Sequence, residues 1–172
     1  MAREFENKAV LITGGAGDIG RAAASRFAGG GARLALIDSD AEALEAVCRE
    51  FGSGGTEVVS RCVDVIDLEA VMSAVGEIQT SLGGIDVLVN CAGIYRHKNI
   101  QEMSLEEWDQ TLNVNLKGVF VTCKAVGPSM ANQESGGAIV NLASIAAQRG
   151  SPLHAHYCAS KAGIIGFGRT LA

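Results

Sequence analysis

Two residues of this 172-residue chain, Tyr157 and Lys161, have the types and spacing for proton transfer. They stand four residues apart in Tyr157-Cys158-Ala159-Ser160-Lys161, within a helical pattern, so both side chains share one helical face. A free phenol titrates near ~10, too high for a base at neutral pH. A nearby ammonium favours the phenolate; a drop of about 3 units needs about 4 kcal/mol of preferential stabilisation of the anion. A lysine in a site that excludes water supplies much of that. Alone, the pair also fits an amphipathic helix with a solvated lysine, so the elements that would position it must decide.

Those elements begin at the other end of the chain. Lys8-Ala9-Val10-Leu11-Ile12-Thr13 is a β-rich run of the kind buried on both faces of a parallel sheet. Gly14-Gly15-Ala16-Gly17-Asp18-Ile19-Gly20 follows directly, and a helix opens at Arg21. Strand, glycine-rich turn and helix form a dinucleotide-binding arrangement: Gly14, Gly17 and Gly20 let backbone approach a pyrophosphate, and the helix start offers free N–H groups to it. A second run, Arg33–Ile37, ends at Asp38, 18 residues past Gly20, where a carboxylate would accept from the adenosine ribose hydroxyls.

Taken together, these segments resemble the short-chain dehydrogenase/reductase family from about Lys8 to the last residue. Thr13, Gly14 and Gly20 fit the family's cofactor loop. Asn90-Cys91-Ala92-Gly93 fits its Asn-x-Ala-Gly motif, and Asn115 its helix asparagine. Ser144 fits its serine, and Tyr157 with Lys161 its Tyr-x-x-x-Lys motif, 13 residues further on. The resemblance implies a catalytic set of Asn115, Ser144, Tyr157 and Lys161. It implies NAD as cofactor, held by Gly14, Gly17, Asp18, Ile19, Gly20, Asp38, Asp64, Val65, Asn90, Ala92 and Gly93 together with Tyr157 and Lys161. Tyr157 would exchange a proton with an alcohol or ketone. Ser144 would hold the substrate oxygen, and Asn115 would support a proton relay through water.

Two departures stand out. Asp18 replaces the loop's middle glycine, where we expect it to cap the first helix. The chain also stops at Ala172 within a helical pattern, which implies truncation before the family's last two strands.

Strands are predicted at 8–13, 33–37, 57–63, 85–90 and 138–143, and helices at 19–29, 40–52, 67–82, 104–131 and 155–172. This alternation predicts an α/β, Rossmann-like doubly wound parallel sheet, order 3-2-1-4-5, in one domain spanning 1–172. Ligands then bind at the carboxyl ends of the strands. The residues at those ends are Thr13–Gly20, Asp38, Asp64, Val65, Asn90–Gly93 and Ser144.

Composition agrees. The net charge of −5 argues against a nucleic-acid partner, and no apolar run is long enough for a membrane span. A strand so close to the N-terminus leaves no room for a signal peptide, so a cytoplasmic location is expected. The five dispersed cysteines read as small buried residues. His154, His156 and Cys158 alternate without a fourth ligand, so no metal is expected and they read as a polar lead-in to the last helix. By resemblance, the helices 104–131 and 155–172 build the interface of a homo-oligomer, a dimer or tetramer. Ala159, Gly163 and Gly166 offer that interface a small-residue face.

The expected activity is NAD-dependent hydride transfer to or from a secondary alcohol or carbonyl in a small molecule: 3-oxoacyl, sugar or polyol, or steroid-like. Tyr95, His97, Gln148 and Leu153 are candidate pocket residues. The alternative is a dinucleotide-binding module, or a fragment without catalytic activity.

Overall fold

The computed structural model describes residues 4–172. Five parallel strands are β1 (Ala9–Thr13), β2 (Arg33–Asp38), β3 (Val58–Cys62), β4 (Val87–Asn90) and β5 (Ala138–Asn141). They lie in the order β3-β2-β1-β4-β5. The expected doubly wound topology is therefore present, with boundaries shifted by two residues or fewer.

The strand sequences explain the layering. Successive side chains point to opposite faces. Leu11, Ala35 and Ile37 pack on one face with Val71, Val75 and Ile78 of α3 (Leu68–Leu82) and Val119 and Val126 of α5 (Gly118–Asn132). Val10, Ile12, Leu34 and Leu36 pack on the other face. They meet Ala24 of α1 (Asp18–Gly29) and Leu44, Val47 and Phe51 of α2 (Ala41–Ser53). Both faces are covered at the central strands β1 and β2, so these read as unbroken apolar runs rather than alternating ones.

Several helix starts follow from single side chains. Asp40 accepts from the Ala43 N–H at the start of α2, and Asp67 from the Ala70 N–H at the start of α3. Ser104 and Glu107 form a reciprocal capping box at the start of α4 (Leu105–Leu112). α1 differs from expectation. Its N-cap is Gly17, and Asp18 is the first helical residue with no side-chain capping bond. Asp18 instead places negative charge in the first turn, at the positive end of the helix dipole.

The predicted helix 104–131 is three segments. α4 gives way to a π turn, Asn113–Lys117, before α5 continues. One extra residue per turn is inserted there, at Asn115. The predicted strand 138–143 stops at Asn141, and a short helix not anticipated from sequence, α6 (Ala146–Arg149), follows Ser144. α7 (Ala155–Leu171) carries Tyr157 and Lys161.

Candidate active site

Strand register sets the site. Thr13 pairs with Ile37 and with Asn90, and Asn90 with Asn141, so the carboxyl ends of β2, β1, β4 and β5 lie level. A buried polar network ties these ends together. Asn90 Nδ2 donates to Asn141 Oδ1 at 2.8 Å, and Thr122 Oγ1 donates to Asn90 Oδ1 at 2.7 Å. The Ala92 N–H reaches Thr13 Oγ1 at 3.3 Å. Asn90 is only 2% exposed, and this network engages its side chain. It supports the turn after β4 and does not line the neighbouring cleft.

That cleft, about 390 Å³, opens above the ends of β1, β2 and β4. Gly14, Gly17, Asp38, Asp64, Val65 and the pair Ala92-Gly93 all line it, with Ala16 and Cys91 from the expected segments Thr13–Gly20 and Asn90–Gly93; Ser39, Ile94 and Val114, which the strand-end residues did not include, line it too. Asp18, Ile19 and Gly20 do not line it: Ile19 stands exposed at the start of α1, and Gly20 is packed on the Gly14 carbonyl. Gly14 has φ +64°, and a Cβ there would meet the Ala92 nitrogen at 2.7 Å. No side chain caps the Gly17 end of α1. A tight backbone cradle, an uncapped helix start and the Asp38 carboxylate suit a dinucleotide: pyrophosphate at the helix, ribose hydroxyls at the acid.

Side chains of the expected catalytic set lie beside this cradle. Lys161 is 6% exposed, and its Nζ donates to the Leu142 carbonyl at 2.7 Å. An ammonium has three donors, so two remain for a bound ligand. A Cβ on Gly93 would lie 3.8 Å from that Nζ, so the lysine stands beside the wall of the cradle. Burial pulls the Lys161 pKa below its ordinary value, and the nearby Cys91 opposes that shift. Lys161 Nζ lies 5.7 Å from the centre of the Tyr157 ring.

Tyr157 and Ser144 line a second cleft, of about 370 Å³, with Tyr95, Ile145, Arg149 and Ser151 among its walls. Of the four pocket candidates, Tyr95 alone lines it. Ser144 Oγ accepts from the Ala146 N–H at 3.1 Å, which fixes the oxygen and leaves its O–H free to donate. Arg149 and Ser151 were missed. They follow the serine by five and seven residues, and only the unexpected turn of α6 swings them to this wall.

Asn115 is fully buried. Its Oδ1 accepts from the Ile94 N–H at 2.7 Å, and its Nδ2 donates to the Ile94 carbonyl at 3.0 Å and to Ser160 Oγ at 3.1 Å. Ser160 donates in turn to the Tyr157 carbonyl at 2.7 Å. The asparagine side chain thus joins the β4 turn, the π turn and α7. A relay at this residue would have to use its main chain.

His154 and His156 are buried, 5% and 0% exposed, rather than a polar lead-in. Burial holds His156 below the ordinary histidine pKa, with His154 adding to the effect. Among the described residues no three metal-ligating side chains gather. The cysteines also divide: Cys123 is buried, Cys48, Cys91 and Cys158 are half-buried, and Cys62 is exposed at the end of edge strand β3.

The fold and the two clefts define a doubly wound α/β domain with a glycine-lined cleft and a second, polar cleft at the carboxyl ends of its strands. The chain belongs to the short chain dehydrogenase family, which residues 8–172 match. It is 42% identical over 168 residues to D-threitol dehydrogenase of Mycolicibacterium smegmatis, covering 98% of this chain and 64% of that protein. It is 40% identical over 168 residues to the 3-oxoacyl-[acyl-carrier-protein] reductase of Thermotoga maritima, covering 98% and 68%. The crystal structure of an NAD+-bound xylitol dehydrogenase superposes with a TM-score of 0.94 at 37% identity, covering 98% of this chain and 65% of that one. The chain thus spans about two thirds of the length of these relatives. Among the described residues, no helix is long and apolar enough to cross a membrane.

Proposed function

We propose that this chain carries the cofactor site and acid/base group of an NAD-dependent oxidoreductase acting on a secondary alcohol or carbonyl. One observation carries the reading. Lys161 stands beside Gly93, which lines the dinucleotide cradle, and one helical turn before it Tyr157 shares the wall of the second cleft with Ser144. One helix, α7, therefore serves both clefts.

NAD, when bound, supplies or accepts the hydride. The chain's own groups handle the proton and the substrate oxygen. Tyr157 takes the hydroxyl proton during alcohol oxidation and returns it during carbonyl reduction. Ser144 donates its O–H to the same oxygen and stabilises charge developing there. Lys161 uses its two remaining donors on the nicotinamide ribose. Asp38 holds the adenosine ribose. The side chain of Asn115 acts as a brace joining the β4 turn, the π turn and α7.

The names of two relatives, a threitol and a xylitol dehydrogenase, favour a polyol or sugar as substrate. Ser144, Ser151 and Arg149 give the cleft the hydrogen-bonding groups such a molecule needs. The 3-oxoacyl thioester named by the third relative is the next candidate. We place the homo-oligomer contact on α4, α5 and α7.

The test is NAD titration of wild type and Tyr157→Phe, followed by turnover on polyols and 3-oxoacyl thioesters. The variant should bind NAD as wild type does and lose turnover. Equal turnover in the two proteins would remove Tyr157 from the acid/base role, and absence of NAD binding would remove the cofactor reading.

A further inference from the structure

Four rings from two separate segments meet beside the second cleft. Tyr95 lies flat on His154, with centroids 4.4 Å apart and planes 9° from parallel. Tyr95 also meets the Tyr157 ring nearly at right angles, 4.7 Å apart and 76°. His97 packs edge-on against His154 at 4.2 Å and 64°, closing the group from the far side. Stacked and edge-to-face arrangements are the preferred geometries for aromatic pairs, and these pairs are closely packed.

The base of this group is fixed by polar contacts. His154 Nδ1 lies 2.6 Å from the Pro152 carbonyl and 3.0 Å from Ser151 Oγ. The carbonyl can only accept, so Nδ1 carries the proton and donates to it. His154 Nε2 is buried without a partner, so the ring is held by its Nδ1 edge and by its faces. The two segments are also stitched by backbone. The Lys98 N–H donates to the Leu153 carbonyl at 2.8 Å. Leu153 has φ +65°, a conformation costing a side-chain-bearing residue about 1 kcal/mol or more. The surrounding contacts hold that strain in place.

Tyr95 is 56% exposed, yet it is flanked on one side by His154 and on another by Tyr157. An exposed ring of this kind would ordinarily swing between rotamers. Here one face rests on an imidazole held through its Nδ1 by the Pro152 carbonyl and Ser151 Oγ. The closest contacts run from His154 through Tyr95 to Tyr157, and His154 also meets the Tyr157 ring directly at 6.4 Å and 69°.

We propose that His154 is a positioning residue for Tyr157. Its ring backs Tyr95, and Tyr95 holds the phenol in place beside Lys161. The structural claim stands by itself; its consequence for catalysis rests on the acid/base role proposed above for Tyr157. His154 and Tyr95 need not touch substrate for this action, and what they supply is orientation.

The chain contains only two tyrosines, Tyr95 and Tyr157, which makes the proposal directly readable. Protein labelled with 3-fluorotyrosine gives two fluorine resonances, assigned with Tyr95→Phe. In His154→Ala both resonances should move toward their positions in the unfolded chain. In His154→Phe, which restores a flat ring, the Tyr157 resonance should stay at its wild-type position. A folded His154→Ala protein with an unmoved Tyr157 resonance would overturn the proposal, and so would a folded His154→Phe protein in which that resonance is displaced.

If His154→Ala fails to fold by circular dichroism, a second pair decides. Tyr95→Phe and Tyr95→Leu each leave Tyr157 as the sole tyrosine. The proposal requires different Tyr157 positions in the two, with only the Phe variant near wild type; equal positions would overturn it. Turnover by Tyr157→Phe is a separate readout. It would refute the acid/base role while leaving every resonance result as evidence on the ring stack.

Discussion

Asp38, at the end of β2, accepts from the backbone N–H of Ala16 through Oδ2 at 3.0 Å, and through Oδ1 from the N–H of Asp40 at 3.2 Å. The acid therefore clamps the glycine turn that follows β1 as well as lining the cradle. A carboxylate has about four acceptor positions, so roughly two remain for the ribose hydroxyls. A 2′-phosphate at the same place would face a like charge. Ser39 offers no compensating cation, and positions 15 and 16 are Gly and Ala. NAD should bind at least about tenfold more tightly than NADP, or ~1.4 kcal/mol. Asp38→Ser should weaken NAD and narrow that ratio. Calorimetric titration showing NADP as the tighter ligand of the wild-type chain would refute this.

Lys161 combines a cost with a use. Its ammonium is buried, with the Leu142 carbonyl as partner, and burial lowers its pKa. Lys161→Met should therefore weaken NAD binding and remove turnover without lowering the melting temperature at neutral pH. The pH dependence has a defined sign. As pH rises toward the ordinary lysine value of ~10.4, the folded chain sheds this proton before the unfolded chain does, so wild type gains stability relative to the variant. Thermal melts of both proteins across that range give the comparison; a gap moving the other way would show that the lysine is not held below its ordinary value.

His156 predicts sensitivity on the acid side. Its Nδ1 accepts from the Tyr157 N–H at 3.0 Å, so Nε2 carries the proton, buried and without a partner. The folded pKa is lowered, so below the ordinary value of ~6.5 the unfolded chain binds a proton that the folded chain resists. Stability is then lost as pH falls through that value toward the folded one. Wild type should lose more melting temperature than His156→Gln between about pH 7.5 and about pH 5.5, either side of ~6.5. Equal losses would show that another group drives the acid response.

What the sequence revealed and what it hid have separate causes. The sheet order and the cradle were readable because local signals agree there: apolar strands buried on both faces, Gly14 at positive φ, and an acid ending β2. The π turn was hidden because Asn113–Lys117 has an ordinary helical pattern. Its extra residue is accommodated by tertiary bonds from Asn115 to Ile94 and Ser160. The burial of His154 and His156 was hidden for a similar reason. Alternating polar residues look solvated until the chain folds, and Tyr95 and His97, about 60 residues earlier, fold over His154. Asp18 misled differently. An acid at a helix start suggests a cap, but here the cap position belongs to Gly17.

The cysteines should separate by reactivity. Burial pushes the Cys91 and Cys123 thiols up to about 11, and for Cys91 the nearby Lys161 opposes but does not cancel this. At about pH 8 their thiolate fraction is then on the order of one in a thousand. Cys62 is exposed and should be alkylated first. Mass spectrometry after brief iodoacetamide treatment should find Cys62 modified, with Cys91 and Cys123 reacting only on unfolding. Early modification of Cys91 would mean that the lysine governs its thiol after all.

The 172-residue chain should self-associate through two surfaces. β5 is an edge strand among the described residues, with Ala138 exposed and Val140 47% exposed. An apolar edge with unpaired backbone groups is a template for another chain. The second surface is a groove between the π turn, α5 and α7, lined by Leu112, Leu116, Phe120 and Phe167, with Phe120 45% exposed. The expected small-residue face contributes less than its spacing implied. A Cβ at Gly163 would meet the Leu116 side chain at 2.6 Å, so this glycine already accommodates a neighbour within its own chain, while Gly166 faces open space. Phe120→Glu should weaken association through the groove, and Val140→Lys should weaken pairing at the edge. Together they should lower the weight-average mass in sedimentation equilibrium more than either does alone. A monodisperse wild-type monomer across the concentration series would show that neither surface recruits a second copy.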